Sequence, residues 1–407
     1  MVNQSKSERK PVFSKTSLMP QEEKLAVKRS GKTFTIGIPR EEDKNENRIP
    51  LTPMTVEMLV REGHEIIIQS NAGMKANFQD LSFSEAGARM VDNKEEVFSA
   101  DIVLKVSPPT DLEIGLMKDR ALLISILNAP TQNPGFFRKQ SDKRITSLAY
   151  EYIKDESDCF PIVRSMSEIA GNTAVLIAAE YLSNVHEGKG EMLGGITGVN
   201  PSEVIILGAG TAGEFAARTA LGLGAIVKIF DSSTYKLKRL QNNLGQRVFT
   251  SMIIAEVLSN ALKTADVVIG AMRRRTAEPI YVITEDMVGK MKKGSVIIDI
   301  SIDQGGCIET SRLTTHAHPV FVKNGVVHYC VPNIPSRVAR TASYAFSNIF
   351  APMIREISYA GGVRQLMRDK PAIRNGVYMF EGILTNQQLG NMFSLPSQDI
   401  NLLMAAF

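Results

Sequence analysis

Apolar residues along this chain fall in short unbroken runs, separated by segments with helical spacing, rather than in the strict alternation of a half-exposed sheet. Runs of this kind predict strands covered on both faces, as in a parallel sheet flanked by helices. In the first part of the chain they lie at 33–38, 65–69, 102–106, 122–127 and 145–150. A helix is predicted over 54–61, starting after the Thr52-Pro53 pair and ending at Gly63. A long helix over 167–186 and a glycine-rich loop over 188–198 precede a second series of runs, at 203–207, 226–230, 267–270, 295–300 and 326–330. The remainder reads as helix-rich, including 339–357, too short for a third domain and expected to return to the first. The expected architecture is α/β in two domains, each a parallel sheet with helices on both faces. Residues 33–160 with 341–407 would form one domain and residues 161–340 the other, with a cleft between them.

The second series opens on Glu203-Val-Ile-Ile-Leu and runs straight into Gly208, Gly210 and Gly213 in GxGxxG spacing, at the start of a helix. Gly208 permits the tight turn, Gly210 admits a pyrophosphate to the backbone, and Gly213 lets helix and strand pack closely. The helix N-terminus offers unpaired N–H groups and the positive end of its dipole to phosphate. The following strand ends at Asp231, whose carboxylate suits ribose hydroxyls and repels a 2′-phosphate. The second domain is therefore expected to be a Rossmann dinucleotide-binding domain, with NAD rather than NADP as cofactor. Lys236, just beyond, either holds the adenosine side or is a solvated helix lysine.

Composition narrows the class. The 407 residues are 43% hydrophobic and 22% charged, which excludes a disordered or fibrous chain. Charge is nearly balanced, 47 basic against 43 acidic residues, and aromatics are only 6% with no tryptophan, so nucleic acid is not an expected partner. No apolar run reaches the length of a membrane span, and Cys159, Cys307 and Cys330 are too scattered for a disulfide framework or a metal site. Residues 1–32 are polar and basic without a signal-peptide core, and read as an N-terminal extension, either a solvated tail or a short helix over 21–28. A cytoplasmic protein is expected.

Several further motifs stand in a fixed order: Gly37-Ile-Pro-Arg-Glu41, Asn47-Arg48-Ile-Pro-Leu-Thr-Pro53, Leu104-Lys105-Val106, Met166-Ser167-Glu168, Gly194-Gly195, Ile302-Asp303-Gln304-Gly305-Gly306-Cys307 and Val331-Pro332-Asn333-Ile334-Pro335. Together with the glycine fingerprint they make the chain resemble the alanine dehydrogenase and NAD(P) transhydrogenase α-subunit family, closer to alanine dehydrogenase, over nearly all of residues 33–385. The resemblance implies an NAD-dependent enzyme that oxidises L-alanine, or a close relative, to the 2-oxo acid and ammonia in the inter-domain cleft. It implies that Arg48 and Lys105 hold the substrate, that Asp303 takes part in proton transfer, and that Ser167, Asp231, Ile302 and Asn333 contact the nucleotide. It also implies a homo-oligomer, hexamer or dimer. The residue chemistry agrees, since an arginine presents a planar fork to a carboxylate and Lys105 closes an apolar strand, where open α/β sheets build their sites. Taken without the resemblance, Arg48 and Lys105 could equally form surface ion pairs and Asp303 could cap a helix.

The sequence departs from the family in two places. Alanine dehydrogenases carry a histidine after the fourth strand; the matching segment here is Ser125-Ile-Leu-Asn128, and asparagine cannot change charge near neutral pH. None of His64, His186, His316, His318 and His328 falls on a position that obviously replaces it, and all five read as structural or surface residues. In place of an apolar loop the chain also has Arg273-Arg274-Arg275, suited to a phosphate, an acidic substrate, a solvated face or a subunit contact. Gln132-Asn133-Pro134 and Pro335-Ser336-Arg337 lean toward the transhydrogenase branch, which keeps open a nucleotide-binding subunit that hands hydride to a partner, or a dehydrogenase for another amino acid.

Overall fold

The computed structural model describes residues 31–186, 188–272 and 281–406; the helix expected at 21–28, nearly all of the extension and Arg273–Arg275 lie outside the described residues. The first sheet begins with six parallel strands: β1 (Thr35–Ile38), β2 (Glu65–Gln69), β3 (Arg89–Val91), β4 (Ile102–Leu104), β5 (Leu122–Ser125) and β6 (Thr146–Ala149). The second contains β7 (Glu203–Leu207), β8 (Ile226–Asp231), β9 (Phe249–Met252), β10 (Val267–Gly270), β11 (Val296–Asp299), β12 (Val320–Lys323) and β13 (Val326–Tyr329), in the order β12-β13-β11-β10-β7-β8-β9. The chain then returns to the first sheet with β14 (Val377–Phe380) and β15 (Ile383–Leu384), completing the order β15-β14-β6-β5-β4-β1-β2-β3.

The unbroken apolar runs have the predicted consequence. Alternate residues of one strand feed different cores: Val204 and Ile206 of β7 pack into one cluster while Ile205 and Leu207 pack into another on the opposite face. In the first sheet Leu122 and Ile124 of β5 join one core and Leu123 the other. Both sheets are parallel in their centres and antiparallel at an edge, at β12 against β13 and at β14 against β6 and β15.

Sequence pattern located the central strands and passed over the edges. β3, β9 and β12 contain no buried residue. β14 is a buried apolar run, Val-Tyr-Met-Phe, but it sits inside a tail that reads as helix-rich, which hid it. The helix expected from residue 167 starts earlier, spanning Pro161–Tyr181, because Pro161 at its first turn has the right φ and needs no N–H partner there.

One contact zone fixes the two sheets to each other. The loop after β1 is tied to the region from Asn333 into the helix Ala339–Tyr359 through buried serines. Ser336 Oγ accepts from Asn47 N–H at 2.8 Å and donates to the Asn45 carbonyl, and Ser343 and Ser347 accept from Ile49 and Thr52 N–H at 2.9 Å each. Residues 45–52 are thereby held along the joint between the sheets.

Candidate active site

In the second sheet the strand order changes direction between β7 and β10, and a cavity of about 900 Å³ opens at their C-terminal ends. Open α/β sheets place ligands at such a point. Its wall includes Ser167, Gly208, Gly210, Asp231 and Lys236, five of the residues expected to contact the nucleotide.

The three fingerprint glycines are required for different reasons. Gly208 has φ of +102°, which other residues rarely adopt. A Cβ on Gly213 would stand 1.8 Å from the Gly208 carbonyl oxygen, so helix and strand could not approach as they do. A Cβ on Gly210 would meet nothing within 4 Å, because that side of the backbone is the open cleft. The helix Thr211–Gly222 starts there with no side-chain cap, leaving its first N–H groups to face a phosphate. Asp231, buried at the end of β8, accepts from Ala209 N–H at 2.7 Å and Ser233 N–H at 2.8 Å, which locks the carboxylate beside the glycine turn. A glycine floor, an uncapped helix start and a fixed acid together fit NAD.

The expected substrate residues gather at the joint. Arg48 is buried and its Nε and Nη2 donate to the two carboxylate oxygens of Glu46 at 2.7 and 2.6 Å. Its guanidinium lies 4.9 Å from the Phe346 ring centre, and Nη1 meets the Met166 sulfur at 3.3 Å. Glu46 also accepts from the Asn333 side-chain amide at 2.9 Å, a hydrogen bond between the two sheets' territories. Burial disfavours the Glu46 charge, but the Arg48 guanidinium and these hydrogen bonds outweigh it and hold the carboxyl below its ordinary range.

Lys105 follows β4 and is also buried, with Nζ 2.5 Å from Glu41 Oε2; Glu41 Oε1 accepts from Val106 N–H at 2.7 Å. Neither cation is the surface ion pair that the residue chemistry alone left open. Asn128 follows β5 and is exposed, in the left-handed region at φ 45°. Asp303 lies exposed on a short 3-10 turn, Ile302–Gln304, after β11, while Ile302 is buried and Gly306 and Cys307 reach the nucleotide cavity. Asn333, at φ 62°, stands in the joint rather than in the cavity wall.

Several participants carried no role in the sequence reading. Glu41 closes the Gly37–Glu41 motif and Glu46 stands just before Asn47-Arg48, and their signal was the need of any buried cation for an anion. His316 is not merely a surface residue: its N–H donates to Asn45 Oδ1 at 3.4 Å, its Nε2 is enclosed, and burial lowers its pKa near Arg337, Glu46, the Asn333 carbonyl and Arg48. His328, by contrast, is a core residue of β13, bonded to Thr310 Oγ1 at 2.7 Å. No cluster of three metal-ligating side chains occurs among the described residues, and no described helix is long and apolar enough to cross a membrane.

Comparison with known proteins places this geometry in a family. Residues 37–170 match the N-terminal domain and residues 174–387 the C-terminal domain of alanine dehydrogenase/PNT. The chain is 38% identical over 363 residues to an alanine dehydrogenase of Methanococcus maripaludis, covering 89% of this chain and 97% of that protein. It is 37% identical to an alanine dehydrogenase of Staphylococcus saprophyticus, covering 90% and 98%. A solved L-alanine dehydrogenase superposes with a TM-score of 0.83 at 33% identity, covering 88% of this chain and 99% of that one. A transhydrogenase from Sinorhizobium meliloti shares the fold, with a TM-score of 0.74 at 23% identity over 87% and 99%. The chain belongs to the alanine dehydrogenase/PNT family.

Proposed function

We propose that this member of the alanine dehydrogenase/PNT family is an NAD-dependent amino-acid dehydrogenase that interconverts L-alanine, or a close relative, with its 2-oxo acid and ammonia. The observation that carries the reading is a pair of buried cations, Arg48 against Met166, the neighbour of the cavity's Ser167, and Lys105 at the end of β4. An anionic substrate is what such cations suit, and the family supplies the reaction.

Residues 33–160 with 341–407 form the substrate domain in this reading, and 161–340 the nucleotide domain. NAD, when bound, supplies the hydride acceptor. Gly208, Gly210 and Gly213 shape its floor, Asp231 with Lys236 takes the adenosine end, and Ser167, Ile302 and Asn333 border the rest. Arg48 keeps one edge on Glu46, and its Nη1–Nη2 edge, met only by the weakly accepting Met166 sulfur, is the edge for the substrate carboxylate. Lys105, steadied by Glu41, polarises the carbonyl or imine; Asn128 donates to it; Asp303 moves protons and positions water. The assembly is a homo-oligomer, hexamer or dimer.

The test is oxidation of NADH with ammonia and a panel of 2-oxo acids, pyruvate first. Turnover with pyruvate supports alanine as substrate. Turnover with another acid alone makes Asn128 a specificity residue. Silence across the panel with NADH bound overturns the dehydrogenase reading in favour of a subunit that hands hydride to a partner.

A further inference from the structure

Ala209, in the middle of the glycine turn, is held from both sides. Asp231 accepts its N–H at 2.7 Å, and Arg239 Nη2 donates to its carbonyl at 3.1 Å. Both side chains also stand on the wall of the nucleotide cavity. Arg239 belongs to the helix Thr234–Leu244, which buries Leu237 and Leu240. Lys236, Arg239 and Asn243 recur on it at i, i+3 and i+7, which is one face, and all three line the cavity. Arg239 is exposed and Lys236 half-buried, so both are open to an incoming ligand.

The charges at this end of the wall do not cancel. Glu214, from the helix Thr211–Gly222, is already satisfied: Arg218 donates to one of its oxygens at 3.0 Å and the Asn243 side-chain amide to the other at 2.9 Å. Asp231 holds two backbone N–H groups and pairs with no cation among the described residues. Lys236 Nζ meets no acceptor among the described residues, and Arg239 gives only its one bond to Ala209. Most of the Arg239 donors are therefore left for a ligand. An ammonium and a guanidinium thus stand against a single uncancelled carboxylate.

A dinucleotide seated on the glycine turn brings its adenosine ribose to that carboxylate, which accepts from the hydroxyls. A phosphate on the 2′-hydroxyl would lie against the same carboxylate and be repelled by it. The side chains that share the wall there are of the type that binds phosphate, one as a fork and one as a point charge. We propose that Lys236 and Arg239 form a latent subsite for the 2′-phosphate of an NADP-type dinucleotide, kept closed by the Asp231 carboxylate alone. Cofactor choice then hangs on one charge rather than on the shape of the cleft. The inference rests on the dinucleotide reading of the cleft and is independent of the amino-acid substrate.

The test titrates NADH and NADPH, by their fluorescence, against the full-length chain and reads the ratio of the two dissociation constants. A general loosening of the glycine turn weakens both dinucleotides and leaves that ratio alone. Asp231→Asn should move the ratio toward NADPH by about 10²-fold, about tenfold lost by NADH and about tenfold gained by NADPH. Adding Arg239→Met should take back at least about tenfold of that shift. Arg239→Lys, which keeps the charge and loses the fork, should take back less. In the otherwise unaltered chain Arg239→Met should move the ratio about tenfold further from NADPH, read by competition against NADH. That measurement stands even where the Asp231 variants fail to fold. A ratio unchanged in folded Asp231→Asn, or one that Arg239→Met leaves untouched in either background, overturns the subsite while wild-type NADH binding stands. A wild type that binds neither dinucleotide overturns the reading of the cleft, and this inference with it.

Discussion

The nucleotide cleft takes most of its determinants from one stretch, Gly208 to Lys236, whereas the joint around Arg48 draws on residues 41–48, 105, 166, 316 and 333. The cleft works with backbone: glycines, free N–H groups and one acid already bonded to the turn it serves. The joint works with buried charges, each cation matched by its own carboxylate before any substrate arrives. A backbone site is fixed by local geometry and tolerates isolation. A site of buried ion pairs exists only when distant segments are brought together, and removing one partner leaves the other stranded.

The largest expected effect follows from that contrast. Arg48→Met strands Glu46 in the joint and should cost about 3–5 kcal/mol of stability by denaturant unfolding, together with oxo-acid turnover. The double variant with Glu46→Met should recover most of the stability and none of the turnover. Equal stability of the single variant and wild type would show that the pair does not hold the joint.

Acid acts on a third region, the β12–β13 edge, as well as on the joint. Burial holds His328 down at about 4, so its neutral form is stabilising. That stability is complete above the unfolded value of 6.5 and is lost as pH falls toward about 4, at a cost approaching ~3 kcal/mol. Glu46, held below 4.5, keeps its contribution until the pH falls further. Hydrogen exchange between pH 6.5 and 4.5 should therefore loosen the β12–β13 edge, and also the joint through His316, whose pKa burial lowers as well; a β12–β13 edge unchanged over that range would contradict the assignment.

Glycine substitutions grade the cleft more finely. Gly213→Ala should cost about 1–3 kcal/mol in stability, since its Cβ collides with the Gly208 carbonyl. Gly210→Ala should leave the melting temperature unchanged and weaken NADH binding by about tenfold or more, as its Cβ fills only the cleft. Asp231→Asn has the smallest expected effect, about tenfold in NAD affinity with improved acceptance of NADP, read by titration with both dinucleotides.

The sequence by itself determined the central strands, the glycine turn and Asp231, because each depends on contacts within a few tens of residues or on the period of apolar positions along one strand. It also marked Arg48 and Lys105 through motif order. It left the edge strands unread, since β9 and β12 bury too little to leave a pattern, and β14, which is buried by β6, a partner more than two hundred residues earlier. Only the tertiary structure decided that Glu46 and Glu41 neutralise the two cations, that Asn333 bonds across the joint, and that Glu151 grips the loop bearing Asn128. Burial assigns those partners: a charge removed from water must find an opposite charge or donors nearby, and which ones are near is a property of the packed fold rather than of the chain.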